Sequence, residues 1–192
     1  MTSFFSRCIT VLVATLVAFF GSGSRSHPSL VIPVSPAPIS SPSHVSTTST
    51  NALVIRVVDG DTFVARVDGQ AEDIKVRLLG VNTPESVDPR RPVECFGKEA
   101  SHFAAQTLDG WRVRLDEDVQ ADDRDKYGRV LRNVIRGDGM DFNATLVRQG
   151  YAYAYLSFPL NKQRKIELKR LQEEARRSNA GLWDPRTCDG KK

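Results

Sequence analysis

Residues 53–79 read LVIRVVDGDTFVARVDGQAEDIKVRLL, and this stretch decides the fold. Leu53 to Val58, Thr62 to Val67 and Ile74 to Leu79 are short runs rich in Val, Ile, Leu and Phe. β-Branched and aromatic residues in runs of this length suit strands. Asp59-Gly60-Asp61 and the segment opening on Asp68-Gly69 separate them. Asp and Gly tolerate the backbone angles of tight turns, so the stretch reads as a three-strand meander.

Downstream, Asn82 to Gly97 is a loop carrying Pro84, Pro89 and Pro92. Ala100, Phe103, Ala104 and Leu108 recur at near-helical spacing, which predicts a helix from about Lys98 to Leu108. Trp111 to Leu115 is a fourth strand, and Gly128 to Ile135 a fifth, after a turn at Asp123 to Gly128. A short helix over Phe142 to Arg148 and a longer amphipathic one from about Leu160 to Ser178 follow, the latter with Ile166 and Leu171 toward the core. Trp111 and Trp183 read as packing anchors, and Tyr151, Tyr153 and Tyr155 as an alternating segment against the sheet. His102 reads as a surface or core-edge residue, and Asn143-Ala144-Thr145 has the glycosylation pattern but falls on a helix. The class is α+β, mainly β. A small OB-fold-like barrel is one of several architectures that five strands allow.

Upstream, the character changes. Residues 1–51 contain Arg7 and Arg25 and no acidic residue, so of the net +4 only +2 belongs to the rest of the chain. A nearly balanced domain gives little general attraction for a polyanion, and any nucleic-acid function has to be argued from a site. Ile9 to Phe20 is apolar except for Thr10 and Thr15, a length that suits an export signal, whereas a membrane-spanning helix needs about 20 residues. Residues 1–24 are read as that signal, with an uncleaved anchor as the alternative. Residues 25–51, with prolines at 28, 33, 36, 38 and 42, read as a Ser/Thr/Pro-rich linker. The folded unit then spans 52–186, with a tail at 187–192. Removal of the signal, and Cys8 with it, leaves Cys95 and Cys188. An even count in an exported protein points to one disulfide. A metal site or a catalytic thiol is the alternative, and two Cys without a neighbouring His suit neither well.

Three segments carry charge that packing does not require. Asp59-Gly60-Asp61-Thr62 places two carboxylates at a turn. Arg77 lies inside an apolar strand, where an unpaired guanidinium is costly, and Asn82, Thr83 and Glu85 follow the end of that strand. Asp125-Lys126-Tyr127-Gly128-Arg129 presents a tyrosine beside an arginine, whose planar fork suits phosphate. Oxygen ligands without a His or Cys cluster favour Ca²⁺ or Mg²⁺ over zinc. With two arginines to neutralise charge and a carboxylate to orient water, the set is equipped for phosphodiester hydrolysis.

Val58-Asp-Gly-Asp-Thr62, Arg77-Leu-Leu-Gly-Val-Asn-Thr-Pro-Glu85, Asp125-Lys-Tyr-Gly-Arg129 and Ala144-Thr-Leu-Val-Arg-Gln-Gly150 together resemble the staphylococcal nuclease (thermonuclease) family, in order, from about Asn51 to Trp183. The resemblance implies an OB-fold five-stranded barrel with three helices. It also implies Ca²⁺-dependent cleavage of DNA and RNA to 3′-phosphorylated products. In its terms Asp61, Asn82 and Thr83 are metal ligands, Thr83 through its carbonyl. Arg77 and Arg129 bind the phosphate, Glu85 stands beside the attacking water, and Lys126 and Tyr127 meet the substrate. Asn82 departs from the family pattern, which has a second aspartate there, so Ca²⁺ affinity should fall, or Mg²⁺ or Mn²⁺ serve instead. The base-stacking tyrosines are out of register, with Tyr153, Tyr155 and Phe158 nearby. A catalytically silent OB-fold module that binds nucleic acid is the competing function. No long coiled coil is present, so a monomer is the default, and the export signal implies a secreted, periplasmic or extracellular site.

Overall fold

The computed structural model describes residues 49–191, so the expected signal and nearly all of the expected linker lie outside the described residues. The meander forms as expected: β1 (Ala52–Asp59), β2 (Thr62–Val67) and β3 (Asp73–Leu78) pair antiparallel in sequence. After a two-residue strand β4 (Val81–Asn82) and helix α1 (Gly97–Leu108) come β5 (Arg112–Asp116) and β6 (Val130–Arg136). The order β1-β2-β3-β6-β5 closes on itself into the five-stranded OB-fold barrel, with β3 and β6 parallel. Helix α2 (Phe142–Arg148), strand β7 (Tyr153–Ala154) and helix α3 (Lys162–Arg177) complete the chain, with a short 3₁₀ turn at Gly181–Trp183. β4 and β7 make a second, two-stranded sheet.

Period-two alternation sets the faces. Along β3, Val76 and Leu78 are buried in the barrel with Val54, Phe63, Val113 and Val134. Lys75 and Arg77 therefore fall on the opposite face, and both line the cleft described below. Each fully buried Val, Leu or Phe contributes about 1.5–3 kcal/mol, so register slippage of β3, which would exchange these sets, is strongly opposed.

The fold's limits and faces differ from the sequence reading in three places. Asn51 belongs to the barrel and not to the linker: its N–H donates to Val113 O at 3.0 Å, and its side chain accepts from Leu115 N at 2.9 Å. The tail after 186 is tied down, as a Cys188 disulfide requires: Gly190 N donates to Leu182 O at 2.8 Å and Cys188 is buried against Leu182 and Trp183. Ile166 is 54% exposed, whereas Leu171 lies inward as expected, together with Leu168 and Ala175. Trp111 is 41% exposed and stacks beneath the Arg136 guanidinium at 4.2 Å, so only Trp183 packs in a core. Asn143 is fully buried: it accepts from Val134 N (3.0 Å) and donates to Leu79 O (2.9 Å), tying α2 to β6 and to the end of β3.

The two cysteines form the expected disulfide, Cys95–Cys188, with Cα atoms 5.9 Å apart. Among the described residues no helix is long and apolar enough to cross a membrane.

Candidate active site

The turn between β1 and β2 brings two carboxylates to the barrel's mouth, and the end of β3 faces them. Gly60 is required in that turn, because a Cβ there would lie 2.8 Å from Thr83 Cγ2. Asp61 Oδ2 accepts from Thr83 N at 2.9 Å and pairs with Arg77 Nη2 at 3.0 Å, while Oδ1 accepts from Thr62 Oγ1 at 3.0 Å. The Arg77 side chain, 12% exposed, answers the cost of its burial with four partners. Nη1 donates to Leu78 O (2.8 Å) and Val81 O (2.9 Å), and Nη2 also donates to Asn82 Oδ1 at 3.3 Å.

Glu85 caps its own loop. Its Oε1 accepts from the backbone N–H groups of Ser86, Val87 and Asp88 at 2.9–3.0 Å. Burial pushes the carboxyl up, but these three donors outweigh it and hold Glu85 below the usual glutamate range. Oε2 has no hydrogen-bond partner among the described residues. Beneath the loop, Asp59 Oδ1 accepts from Gly60 N (2.8 Å), Ser86 Oγ (2.6 Å) and Ser101 Oγ (2.7 Å), joining the β1–β2 turn to the loop and to α1. Burial is the largest influence on Asp59 and raises its pKa, against the pull of the two hydroxyls.

The turn before β6, the strand that pairs with β3, is organised by Asp125. Its Oδ1 accepts from Tyr127 N (2.9 Å) and Arg129 N (3.0 Å), and its Oδ2 from Arg129 Nε (2.7 Å). Burial raises the Asp125 pKa, but the bonds from Arg129 prevail and lower it. Gly128 takes a left-handed φ of 77°, which lets the chain reverse and aims Arg129 and the 71% exposed Tyr127 into the cleft. The Arg129 guanidinium and the Lys126 ammonium lie 5.4 and 5.0 Å from the Tyr127 ring centre.

Asp61, Arg77, Asn82, Thr83, Glu85, Tyr127 and Arg129 thus line one cleft, with Lys75, Arg90 and Arg91 at its edge. Lys126 lines an adjoining hollow that shares Arg77, Tyr127 and Arg129. Its far side holds Tyr155 and Phe158, edge to face at 5.1 Å. The two rings lie three positions apart in the segment between β7 and α3. Of the cations in the main cleft, Arg77, Arg90, Arg91 and Arg129 each pair with a carboxylate, and Lys75 has none among the described residues.

The donor set fits a hard divalent cation. Asp61 and Asn82 hold side-chain oxygens on one guanidinium nitrogen, so both already face a cationic group. Thr83 Oγ1 beside them is buried without a hydrogen-bond partner among the described residues. Oxygen donors of this kind suit Ca²⁺, Mg²⁺ or Mn²⁺.

A model of the family described as staphylococcal nuclease homologue matches residues 75–185. Thermonuclease of Staphylococcus intermedius is 44% identical over 132 residues, covering 69% of this chain and 75% of that protein. Thermonuclease of Staphylococcus hyicus is 39% identical over 130 residues, covering 68% and 73%. A prophage-derived endonuclease of Bacillus subtilis is 31% identical over 128 residues, covering 67% of this chain and 42% of that protein. With its barrel, its cleft and these relatives in view, the chain belongs to the staphylococcal nuclease homologue family.

Proposed function

We propose that this protein is an exported, Ca²⁺-dependent nuclease that hydrolyses phosphodiester bonds of DNA and RNA and leaves 3′-phosphorylated ends. The observation that carries the reading is the convergence of Glu85, Arg77 and Arg129 on one cleft beside the Asp61–Asn82 oxygens. A module that only binds nucleic acid needs neither a carboxylate with a free oxygen nor a buried arginine on a second carboxylate.

Asp61, Asn82 and Thr83 would hold the metal, which when bound supplies positive charge against the phosphate oxygens and polarises water. Arg77 on β3 and Arg129 just before the paired strand β6 both reach the cleft and neutralise the charge that builds on the five-coordinate phosphorus. Asp125 and Asp61 hold their guanidiniums in place before substrate arrives. Glu85 Oε2 accepts the proton of a water or fixes its lone pair toward phosphorus. Ionised by its three amides, Glu85 is available for that role at neutral pH. Tyr127, Tyr155 and Phe158 offer apolar faces to the bases. The Cys95–Cys188 bond suits an oxidising compartment, in keeping with the apolar run at 9–20.

The test is hydrolysis of single-stranded DNA and of RNA by the purified chain with Ca²⁺, Mg²⁺, Mn²⁺ or a chelator, with the product ends analysed. Ca²⁺-dependent cleavage that falls by several orders of magnitude in Glu85→Gln, while DNA binding persists, is the expected result. Binding without cleavage in any metal would make this a silent nucleic-acid module disabled at Asn82.

A further inference from the structure

The short segment after the Glu85 loop is built against Glu85 itself. Glu94 Oε2 accepts from Glu85 N at 3.0 Å, and Glu94 N donates back to Glu85 O at 2.8 Å. Arg91 Nη2 donates to the other Glu94 oxygen at 2.7 Å. Gly97 presses on the same place, since a Cβ there would stand 2.5 Å from Glu85 O. Between them Phe96 adopts a left-handed φ of 67°, costly for a side chain with a Cβ, and its ring rests on Tyr151 at 5.5 Å. Residue 95, in the middle of this segment, is the disulfide cysteine. Its partner Cys188 is buried with Leu182 and Trp183, so the bond anchors the segment to a packed part of the chain 93 residues away. Cys95 is itself exposed and open to attack by a thiolate.

We infer that Glu94 is a positioning residue for Glu85, and that the Cys95–Cys188 disulfide is the latch that keeps Glu94 in place, so that turnover is set by the redox state of this bond. The inference rests on the nuclease reading above. Reduction by a dithiol breaks the S–S bond: the disulfide takes up two electrons and two protons to give two thiols, and the reductant leaves as its cyclic disulfide. Cys95 is then free, the left-handed Phe96 loses one of its two restraints, and Glu94 no longer holds the Glu85 N–H. The Glu94 N–H to Glu85 O bond, the Arg91–Glu94 pair and the tie from Ser86 to Asp59 and Ser101 are not broken by reduction, so the loss is partial. A chain with this latch is several-fold less active in the reducing compartment where it is made and gains full activity once oxidised, which lessens damage to nucleic acid inside the producing cell.

The experiment uses the full chain, at a temperature where circular dichroism shows both redox forms folded. Oxidised protein, dithiothreitol-reduced protein and the Cys95→Ser/Cys188→Ser double variant are assayed on single-stranded DNA with saturating Ca²⁺. Loss of one hydrogen bond on the Glu85 backbone is worth about tenfold, so kcat should fall roughly three- to tenfold on reduction with KM unchanged. The double variant should match the reduced protein and ignore the reductant. With the disulfide intact, Glu94→Ala should lose about tenfold in kcat, and Glu94→Gln, which keeps an acceptor for Glu85 N, should stay within about twofold of the parent. Hydrogen exchange at the Glu85 and Ser86 amides, read without turnover, should quicken on reduction and in Glu94→Ala but not in Glu94→Gln. Unchanged exchange and kcat in the reduced protein, or equal losses in both Glu94 variants, would overturn the latch. No cleavage by the oxidised parent, with exchange responding as expected, would overturn the nuclease reading and leave the latch standing as a structural fact.

Discussion

Replacing Arg77 by leucine is expected to abolish turnover, weaken the metal-free fold and tighten Ca²⁺ binding, all at once. The three effects share a cause, because one guanidinium nitrogen sits on Asp61 Oδ2 at 3.0 Å and on Asn82 Oδ1 at 3.3 Å. These side chains are nearly buried, Asp61 at 8% exposure, and breaking a buried pair by removing one partner costs about 3–5 kcal/mol. Asp61 keeps Thr83 N and the Thr62 hydroxyl, so the lower end, about 3 kcal/mol, is the expected loss. Against a total of about 5–15 kcal/mol this variant still folds. A divalent cation on the same oxygens no longer faces a fixed positive charge, and its affinity rises. At 100 times Kd, Ca²⁺ returns about 2.7 kcal/mol and nearly restores the parent's metal-free stability. Turnover, deprived of one charge-stabilising group, should fall by at least about 10²–10³. Urea unfolding with chelator and with Ca²⁺, followed by circular dichroism, reads the first two effects, and calorimetric titration the affinity. A loss under about 1 kcal/mol in chelator, or weaker Ca²⁺ binding in the variant, would refute the argument that Arg77 and the metal compete for the same oxygens.

Asn82→Asp adds a negative charge beside Asp61 and should tighten Ca²⁺ at least several-fold, and a titration showing no change would place Asn82 away from the metal. Lys75, the cleft cation without a carboxylate among the described residues, should contact a phosphate of extended substrate: Lys75→Gln should flatten the slope of log affinity against log salt by about 0.7 for single-stranded DNA. An unchanged slope would remove Lys75 from the substrate's path. The Glu85 carboxyl should titrate below the ordinary 4.5. Its contribution to loop stability is therefore complete above that value and lost as pH falls through the depressed one. An NMR titration with a midpoint at or above 4.5 would mean that the three loop amides do not cap the ionised form.

What the sequence made legible is what depends on near neighbours. The Asp59-Gly60-Asp61 turn, the alternation that puts Arg77 outward from β3, and the Asp125–Arg129 turn are each specified within a few residues, and the structure brings all three to one cleft. Arg77 in an apolar strand signalled a need for partners, and two of the four, the Leu78 and Val81 carbonyls, lie within one turn of chain. Features set by distant packing were not legible. Ile166 obeys helical spacing as well as Leu168 does, and only the position of α2 against α3 decides which is buried. Asn143 looked like a glycosylation triplet because its duty, bonding Val134 and Leu79, exists only after β3 and β6 lie parallel. Trp111 needed Arg136, 25 positions on, to stack upon it in the open. The same distinction explains Glu94. Its residue type is unremarkable in a charged loop, and the bond it makes spans nine positions. A loop with three prolines can close over that distance in many ways. What selects the one that aims Glu85 is a covalent tie from the neighbouring residue to a cysteine 93 positions downstream. The chemistry of this site is therefore written locally, while its aim is set from the far end of the chain.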